Sequence, residues 1–446
     1  MYRWALKKTP LGTGVALLAL LLAPQSLLAV PSMGRQTGLT CASCHTVYPE
    51  LTPFGRQYKL RGFSMTAPQR EKSILTRLPI SGLLQSSITS TADTGTVGAR
   101  SSDFPRNDDL ILQAAGVYYG GKILGNSGAL AQFSYDGIDA RWLMEMFDAR
   151  YASSLTPAGR ELVYGLTLSN TPTLTDIYNS TPRWAFPYVE SAAVQPTAAP
   201  LLDLQLAAQV GGVGAYLMWN NLVYAEAAFY KAGRRGLARA LTAGAEIENV
   251  VDDFAPYWRL ALQHEWDSHS LSVGTYGMVA DLFPEGRTGG PSNRFRDLAF
   301  DAQYQYIGQD HIFSAQANYI HERQDWTAGF AEGEASNRSD TLQTLKANLH
   351  YYFRRTYGLG VQYFLTRGDR DKLRYDTGEP VFGSITGRPD TDGWLAELNY
   401  LPVSHLKLAL RYTGYTRFNG ASNDYDGFGR NAGDNNSLFF LAWLLF

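Results

Sequence analysis

Apolar and polar residues alternate one by one along most of the chain, and this period of two limits the fold more than any other feature. Between Leu298 and Tyr306 the apolar and aromatic side chains occupy the even positions, whereas Asp301 and Gln303 fall between them. The alternation recurs from Leu345 to Phe353 and from Leu406 to Tyr412. Because successive side chains of a strand point to opposite faces, each segment is predicted to be a β-strand with one apolar and one polar face.

The connections between these segments mostly alternate between short and long. Asn220-Asn221 and Arg354-Arg355 are short turns, whereas 171–205 and 368–390 are long and are expected to be external. A soluble β-sandwich explains the alternation within each strand equally well, but short turns opposite long loops are typical of outer-membrane β-barrels. We therefore predict an all-β transmembrane antiparallel barrel of about sixteen strands, with both chain ends in the periplasm. The predicted strands are 79–91, 108–123, 127–136, 143–152, 159–169, 206–219, 222–233, 253–266, 268–281, 293–307, 310–322, 339–353, 356–367, 391–402, 404–416 and 436–446.

The composition and the aromatic residues agree with a barrel in the outer membrane. The chain has 43 Gly and 27 Tyr, but its mean hydropathy of -0.21 is too polar for helical membrane spans. The last strand alternates up to Phe446, the usual last residue of bacterial outer-membrane barrels. Trp219, Trp266, Phe353 and Tyr400 lie beside short turns, where an interfacial girdle is expected to contact membrane lipid.

The first residues predict export from the cytoplasm. Three basic residues precede the apolar stretch Val15–Ala23, and Leu27-Leu28-Ala29 follows, with the small residue Ala29 at the expected cleavage point. This arrangement is typical of a secretory signal peptide, here residues 1–29. The apolar stretch is well short of the ~20 residues that a membrane-spanning helix needs.

A C-x-x-C-H motif at Cys41-Ala42-Ser43-Cys44-His45 contains both of the chain's 2 cysteines. This is the attachment motif of a c-type haem, in which the thiols bond to the haem vinyl groups and His45 ligates the iron. A periplasmic disulfide or a thioredoxin-like redox pair is the alternative, but His45 and the lack of a surrounding βαβ pattern argue against both. We predict one covalent haem c in a small, mainly helical or irregular module at 30–78, which is too short to build a good core alone.

The predicted barrel, residues 79–446, is wide enough to hold this module. A sixteen-stranded barrel encloses a lumen that contains water or a plug. The module precedes the first strand, enters from the periplasmic side and is expected to rest in that lumen. Inward-facing charges either bond to this plug or solvate an open channel, and the sequence favours neither. These candidates are Glu226, Arg259, Asp301, Lys346, Glu397, Lys407 and Arg411.

The second ligand of the haem iron is predicted to be Met65, which follows His45 within the same module. Histidine and methionine ligation raises the reduction potential of a haem. Met33 is the other nearby methionine, and either side chain could instead pack against the porphyrin. Barrel histidines are a further alternative, namely His264, His321 and His350.

The module and its surroundings resemble the fused outer-membrane cytochrome-porins of iron-oxidising bacteria. The similarity covers the plan of the whole mature chain and implies a single-haem c-type cytochrome inside a porin. Such a protein is an oxidoreductase that takes electrons from extracellular Fe(II), with His45 as the catalytic haem ligand, and passes them to a periplasmic c-type cytochrome. The matching segments are Gly34–Gly38, Cys41–Thr46, Pro49–Arg56, Lys59, Gly62–Phe63 and Trp184–Tyr188.

Other functions remain as rivals or are excluded. A diffusion porin with a structural or regulatory haem plug is one rival, and outward electron flow to an extracellular acceptor is another. The net charge of -2 gives no electrostatic case for nucleic acid, and no nucleophile motif or phosphate-binding loop is present. Carboxylates in the long loops either dock iron weakly or are ordinary solvated charges, and the second explanation is favoured. They are Asp252, Asp253, Glu285, Glu332, Glu334, Asp369, Asp371, Asp390, Asp392, Asp424 and Asp426.

Overall fold

The structure is a computed structural model, and it describes most of the chain after the predicted signal peptide. The described residues are 31–66, 78–92, 108–178, 189, 194–284, 287–376 and 378–446. The signal peptide at 1–29 and the segment Trp184–Tyr188 lie outside them.

Sixteen antiparallel strands form a closed barrel in which each strand pairs with its neighbours in the chain and β1 pairs with β16. Closure leaves no free sheet edge, as a membrane-spanning sheet requires. The strands are β1 Ile80–Thr91, β2 Leu110–Leu124, β3 Ser127–Asp136, β4 Arg141–Leu155, β5 Leu162–Ser169, β6 Val210–Trp219, β7 Val223–Ala232, β8 Ala255–Trp266, β9 His269–Leu282, β10 Asn293–Ile307, β11 His311–Asp325, β12 Ser339–Phe353, β13 Tyr357–Gly368, β14 Thr391–Val403, β15 Leu406–Arg417 and β16 Ser437–Leu445.

All sixteen predicted strands are confirmed, and their ends shift by a few residues. The largest shift is at β6, which begins at Val210 rather than at residue 206. Leu204 and Ala208 adopt left-handed conformations with φ of 72° and 57°. Such backbone cannot continue a strand, so the four residues before Val210 form turns although their composition suits a strand.

The apolar face of the strands is exposed and the polar face is buried. Leu298 and Phe300 are 42% and 52% exposed, whereas Asp301 and Gln303 on the opposite face are 7% and 2% exposed. A soluble sandwich buries its apolar face instead, so the outer surface of this barrel is suited to lipid. The girdle aromatics also point outward, with Trp266 39% exposed. The protein is an outer-membrane β-barrel. None of the described helices is long and apolar enough to cross a bilayer.

Two-residue turns close several hairpins at the periplasmic end. Asn220 and Asn221 have φ of 52° and 51°, and Arg354 and Arg355 have φ of 52° and 56°. Two consecutive positive φ angles match the twist of a hairpin, and asparagine tolerates them well. Arginine tolerates them less well, and Arg355 is held by its hydrogen bonds to the carbonyl oxygens of His45, at 2.9 Å, and Thr46, at 3.1 Å.

Three of the described α-helices lie at this end of the lumen, and the other three lie in the long loops. Gln57 bonds to Asn221 of a periplasmic turn at 2.5 Å, and the Tyr48 hydroxyl donates to the Trp443 carbonyl at 3.1 Å. We refer to residues 31–66, which contain the predicted haem-attachment motif, as the haem module. The helices are α1 Pro31–Thr37, α2 Cys41–Cys44, α3 Pro53–Leu60, α4 Gly236–Leu241, α5 Thr327–Glu332 and α6 Lys372–Tyr375.

The long connection between β5 and β6 enters the lumen, which corrects the expectation that 171–205 is external. Leu174, Asp176 and Tyr178 are completely buried, and the backbone N–H of Leu202 donates to Asp297 of β10 at 2.8 Å. We refer to the described parts, 170–178 and 194–209, as the inner loop. The described part of the lumen thus contains two elements, the haem module and the inner loop.

Candidate functional site

The C-x-x-C-H motif folds as one helical turn that the following segment holds in place. The backbone N–H of His45 donates to the Cys41 carbonyl at 2.9 Å. Thr52 then bonds twice to the motif, through its hydroxyl to the Ser43 carbonyl at 2.7 Å and through its N–H to the Cys44 carbonyl at 2.9 Å. Thr52 also caps α3, because its hydroxyl accepts the N–H of Gly55 at 3.1 Å.

Gly55 allows α3 to pack directly on the motif. A Cβ atom at this position would lie 2.1 Å from the Cys44 carbonyl oxygen and 3.1 Å from the Leu51 side chain. Neither the carbonyl nor the helix backbone can move far without breaking the Thr52 bonds. Glycine is therefore required by close backbone approach rather than by an unusual φ angle.

His45 is arranged as a neutral metal ligand. Its Nδ1 donates to the Glu50 carbonyl at 3.3 Å, which fixes the tautomer and leaves Nε2 as the ligating atom. Burial lowers the pKa of His45, although the bonds to the Glu50 and Pro49 backbone oppose this effect. A lowered pKa favours the neutral imidazole, which is the form that can ligate a metal.

Cys41 and Cys44 are half-buried and do not form a disulfide with each other. Burial and the neighbouring Cys41 raise the pKa of Cys44 to about 11. A cysteine used as a thiolate nucleophile needs a lowered pKa instead. Cys44 is thus poorly suited to act as the attacking thiolate in thiol–disulfide exchange.

One cavity of about 510 Å³ contains both thiols and the imidazole. This volume lies within the range of about 300 to 1,000 Å³ of small-molecule and cofactor sites. Its walls are largely apolar and come from the haem module, the inner loop and β1–β4 and β16. The residues present therefore fit a c-type haem. Apolar and aromatic residues that line the cavity include Leu51, Tyr58, Phe63, Leu130 and Trp443.

Met33 and Met146 line this cavity, but Met65 does not. The backbone after α3 explains the difference, because Gly62 and Phe63 both have positive φ, at 71° and 53°. These left-handed residues reverse the chain, so Phe63 packs on Tyr58 while the next residues leave the site. The structure therefore favours Met33 or Met146 over the predicted Met65 as the second iron ligand.

The barrel histidines are used elsewhere and none of the three predicted ones lines the cavity. His350 is buried in the lumen and its Nδ1 bonds to the Glu50 carboxylate. Glu50 in turn accepts the Thr46 hydroxyl at 2.8 Å. His264 stacks on Trp266 on the outer side of the barrel, with ring centroids 5.4 Å apart.

Two buried cations join the haem module to its surroundings. Arg56 donates to Gln305 at 2.7 Å and to Ser270 at 2.6 Å, both on the barrel wall. Lys59 donates to the Leu174 and Asp176 carbonyls of the inner loop, each at 2.7 Å. Burial, followed by repulsion from Arg150, lowers the pKa of Lys59 to about 8, although nearby carboxylates oppose this shift.

The seven predicted inward charges do face the lumen, but most bind the inner loop or one another. Arg259 pairs with Asp301 at 2.6 Å and with Asp176 of the inner loop at 3.4 Å. Lys346 pairs with Asp203 of the inner loop at 2.8 Å. Glu226 accepts a hydrogen bond from the Thr175 hydroxyl of the inner loop. Glu397 forms ion pairs with Arg411 and Lys407, and Arg411 also donates to the Val189 carbonyl.

Tyrosines and arginines fill the lumen beside the haem module. The Arg259 guanidinium lies 5.3 Å from the ring centre of Tyr178 and 5.2 Å from that of Tyr276. Tyr178 also meets Tyr224, with ring centroids 5.9 Å apart. The three tyrosine rings are completely buried, and Arg259 is 1% exposed. This layer of buried side chains occupies that part of the lumen.

The loop carboxylates form no multidentate metal site within the part of the chain that the structure describes. Asp371 accepts three backbone N–H groups, from Ser336, Asn337 and Arg374. These bonds outweigh desolvation and lower the pKa of Asp371. Its charge thus stabilises loop structure.

The sequence patterns did not identify the residues that hold the motif in place. Thr52 and Gly55 fall in a segment that the resemblance included, but no role was assigned to them. A threonine followed by Pro53 is a recognisable helix start. Met146 had no such signal, because a methionine in a strand is ordinary until the lumen contents are known.

No known protein family and no curated protein matches the chain. Solved structures with a similar fold include the OmpF porin of Salmonella typhi in complex with daunomycin, at 13% identity and TM-score 0.46, covering 82% of this chain and 97% of that chain. The anion-selective porin from Comamonas acidovorans has 12% identity and TM-score 0.45, covering 82% and 98%. OmpT, an outer membrane protein of Vibrio cholerae, has 10% identity and TM-score 0.44, covering 82% and 96%. The fold assignment rests on the closed sheet itself.

Proposed function

We propose that the protein carries electrons across the outer membrane, from extracellular Fe(II) to a periplasmic c-type cytochrome. One observation carries the proposal: a lumen cavity is lined by Cys41, Cys44 and His45, inside a barrel whose described lumen also contains many buried side chains. A c-type haem bound there supplies a one-electron centre. In each turnover Fe(II) becomes Fe(III), and the periplasmic cytochrome gains the electron.

The chain's own residues hold and insulate that centre. Cys41 and Cys44 provide thioether bonds, His45 provides the proximal nitrogen, and Glu50 orients His45 through its carbonyl. Met33 or Met146 is the proposed second ligand. Methionine ligation raises the reduction potential, as acceptance of an electron from Fe(II) requires.

Stopped-flow absorbance tests the proposal. The oxidised, haem-loaded barrel in detergent is mixed with Fe(II) without oxygen, and reduction is followed in the visible haem bands. We expect rapid reduction in the wild type and none in His45→Ala or Cys41→Ala, both of which remain inserted barrels. Absence of haem reduction in the wild type would refute iron oxidation and leave outward electron flow as the alternative.

Planar-bilayer conductance separates the electron conduit from a diffusion porin. The packed Arg259–Tyr178–Tyr276 layer favours low conductance. Large and steady ion currents through the haem-loaded protein would instead support a porin in which the module is a structural or regulatory plug.

A further inference from the structure

The cavity that contains the haem motif extends from the periplasmic half of the barrel to its outer end. Gly120 and Leu130 line it close to the haem module, and Asp136, the last residue of β3, lines its other end. Strand geometry places Leu130 and Asp136 about 20 Å apart. The cavity is therefore longer than the region around the cysteines and reaches the side from which the long loops emerge.

Two β-bulges direct polar side chains into the outer part of the cavity. Gln113 is the extra residue where the register between β1 and β2 shifts, and Glu145 is the extra residue where the register between β3 and β4 shifts. As a result, the neighbours Gln113 and Ala114 both line the cavity, and so do Glu145 and Met146. Adjacent residues of a regular strand face opposite sides, so each bulge adds an inward group that alternation does not provide.

The outer part of the cavity is rich in oxygen atoms and negatively charged. Asp136 and Glu145 supply carboxylates there, and Glu145 accepts a hydrogen bond from Gln132. Among the described lining residues, Lys59 is the only lysine or arginine. Lys59 lies at the haem-module end and is paired with Asp148 at 3.9 Å.

We infer that this outer part is the entry route for the electron donor, a small hydrated divalent cation, with Asp136 steering it and Glu145 as its docking residue. The inference rests on the proposed function and specifies how the donor reaches the haem. Carboxylate and amide oxygens suit hard cations. A cleft lined by one sign of charge raises the association rate of an opposite charge by about 10- to 1,000-fold.

Charge-removing variants test this route. Glu145→Gln and Asp136→Asn, singly and together, are compared with Glu246→Gln, an exposed outer carboxylate that pairs with Arg141 outside the cavity. For the double variant we expect the second-order rate of haem reduction by Fe(II) to fall about tenfold and to lose its dependence on ionic strength. Reduction by uncharged hydroquinone and by Fe(II) in Glu246→Gln should stay close to wild type.

Binding of Mn²⁺, which does not reduce the haem, gives a second readout. Electron paramagnetic resonance titration of the oxidised, haem-loaded protein should show a Mn²⁺ dissociation constant about tenfold higher in Glu145→Gln than in Glu246→Gln. Mn²⁺ should also slow Fe(II)-dependent reduction in the wild type in a competitive manner.

The outcomes separate this inference from the proposed function. If Fe(II) reduces wild type and all variants equally, or Mn²⁺ binds Glu145→Gln as well as Glu246→Gln, the entry route is refuted while iron oxidation stands. If Fe(II) fails to reduce even the wild type, the proposed function fails. A variant whose haem is no longer reduced by hydroquinone has lost its haem. In that case the rate of haem reduction by Fe(II) in the Asp136→Asn single variant is the deciding measurement.

Discussion

At the residue scale, the haem motif depends on backbone atoms as much as on its thiols and imidazole. The bonds from Thr52 fix the α2 turn, and the missing Cβ of Gly55 lets α3 lie against the Cys44 carbonyl. His45 is then oriented by the Glu50 carbonyl. Each contact joins the motif to the ten residues that follow it, so haem attachment and folding of the module depend on each other.

Gly55→Ala should impair haem loading. The added Cβ meets the Cys44 carbonyl oxygen at 2.1 Å, and overpacking of this kind costs about 1 to 3 kcal/mol. We expect a several-fold lower ratio of haem absorbance to protein absorbance in the purified barrel. Gly289→Ala is the matched control, because its Cβ would meet no atom within 4 Å. Equal haem content in the two variants would contradict the role given to Gly55.

The second iron ligand can be identified by three methionine variants. Met33 and Met146 line the cavity and Met65 does not. We expect either Met33→Ala or Met146→Ala to remove the visible band of methionine-ligated ferric haem and to lower the reduction potential, because loss of the thioether destabilises the reduced state. Met65→Ala should leave both unchanged. A spectral change in Met65→Ala alone would restore the assignment made from sequence.

The sequence alone does not identify the second iron ligand, and the reason is physical. The C-x-x-C-H spacing is set by the chemistry of two vinyl groups and one iron, so the sequence alone is enough to propose Cys41, Cys44 and His45 for haem attachment. The second ligand depends on where separate elements meet. The left-handed turn at Gly62 and Phe63 and the bulge beside Met146 decide that contact, and neither has a pattern in the sequence.

At the element scale, the strands were predictable and the inner loop was not. Alternation and turn chemistry act within a few residues, so they locate β10 at 293–307 and β12 at 339–353 without error. The inner loop has no such period. Its position depends on distant ion pairs, such as Asp176 with Arg259 and Asp203 with Lys346, which a sequence does not reveal.

Arg259→Leu should loosen the inner loop. The change leaves Asp301 and Asp176 as buried carboxylates without their arginine, and breaking a buried pair costs about 3 to 5 kcal/mol. We expect a lower unfolding temperature in detergent and higher ion conductance in planar bilayers. Arg294→Leu is the control, because Arg294 pairs with Asp281 at the exposed surface.

Asp301→Asn provides a second test if Arg259→Leu does not insert. It keeps the shape of the side chain and removes one charge of the pair. We therefore expect a smaller decrease in unfolding temperature and a smaller increase in ion conductance than in Arg259→Leu. Unchanged conductance in both variants, with the haem retained, would show that the inner loop does not close the lumen.

At the scale of the whole molecule, the proposed function requires a barrel that passes electrons but not ions. Its outer face is apolar and its lumen contains the haem module, the inner loop and buried ion pairs. A hydrocarbon core of about 30 Å is thick for one haem. The cavity that runs along β3 shortens the remaining distance, because a small donor can approach from the outer end.

Electron transfer into sealed proteoliposomes tests the central claim most directly. Oxidised cytochrome c is trapped inside, the haem-loaded barrel is inserted with its long loops outward, and Fe(II) is added outside. We predict reduction of the trapped cytochrome without leakage of a trapped dye, and no reduction with Cys41→Ala. Cytochrome that stays oxidised, or that is reduced only when the dye also escapes, would contradict the account.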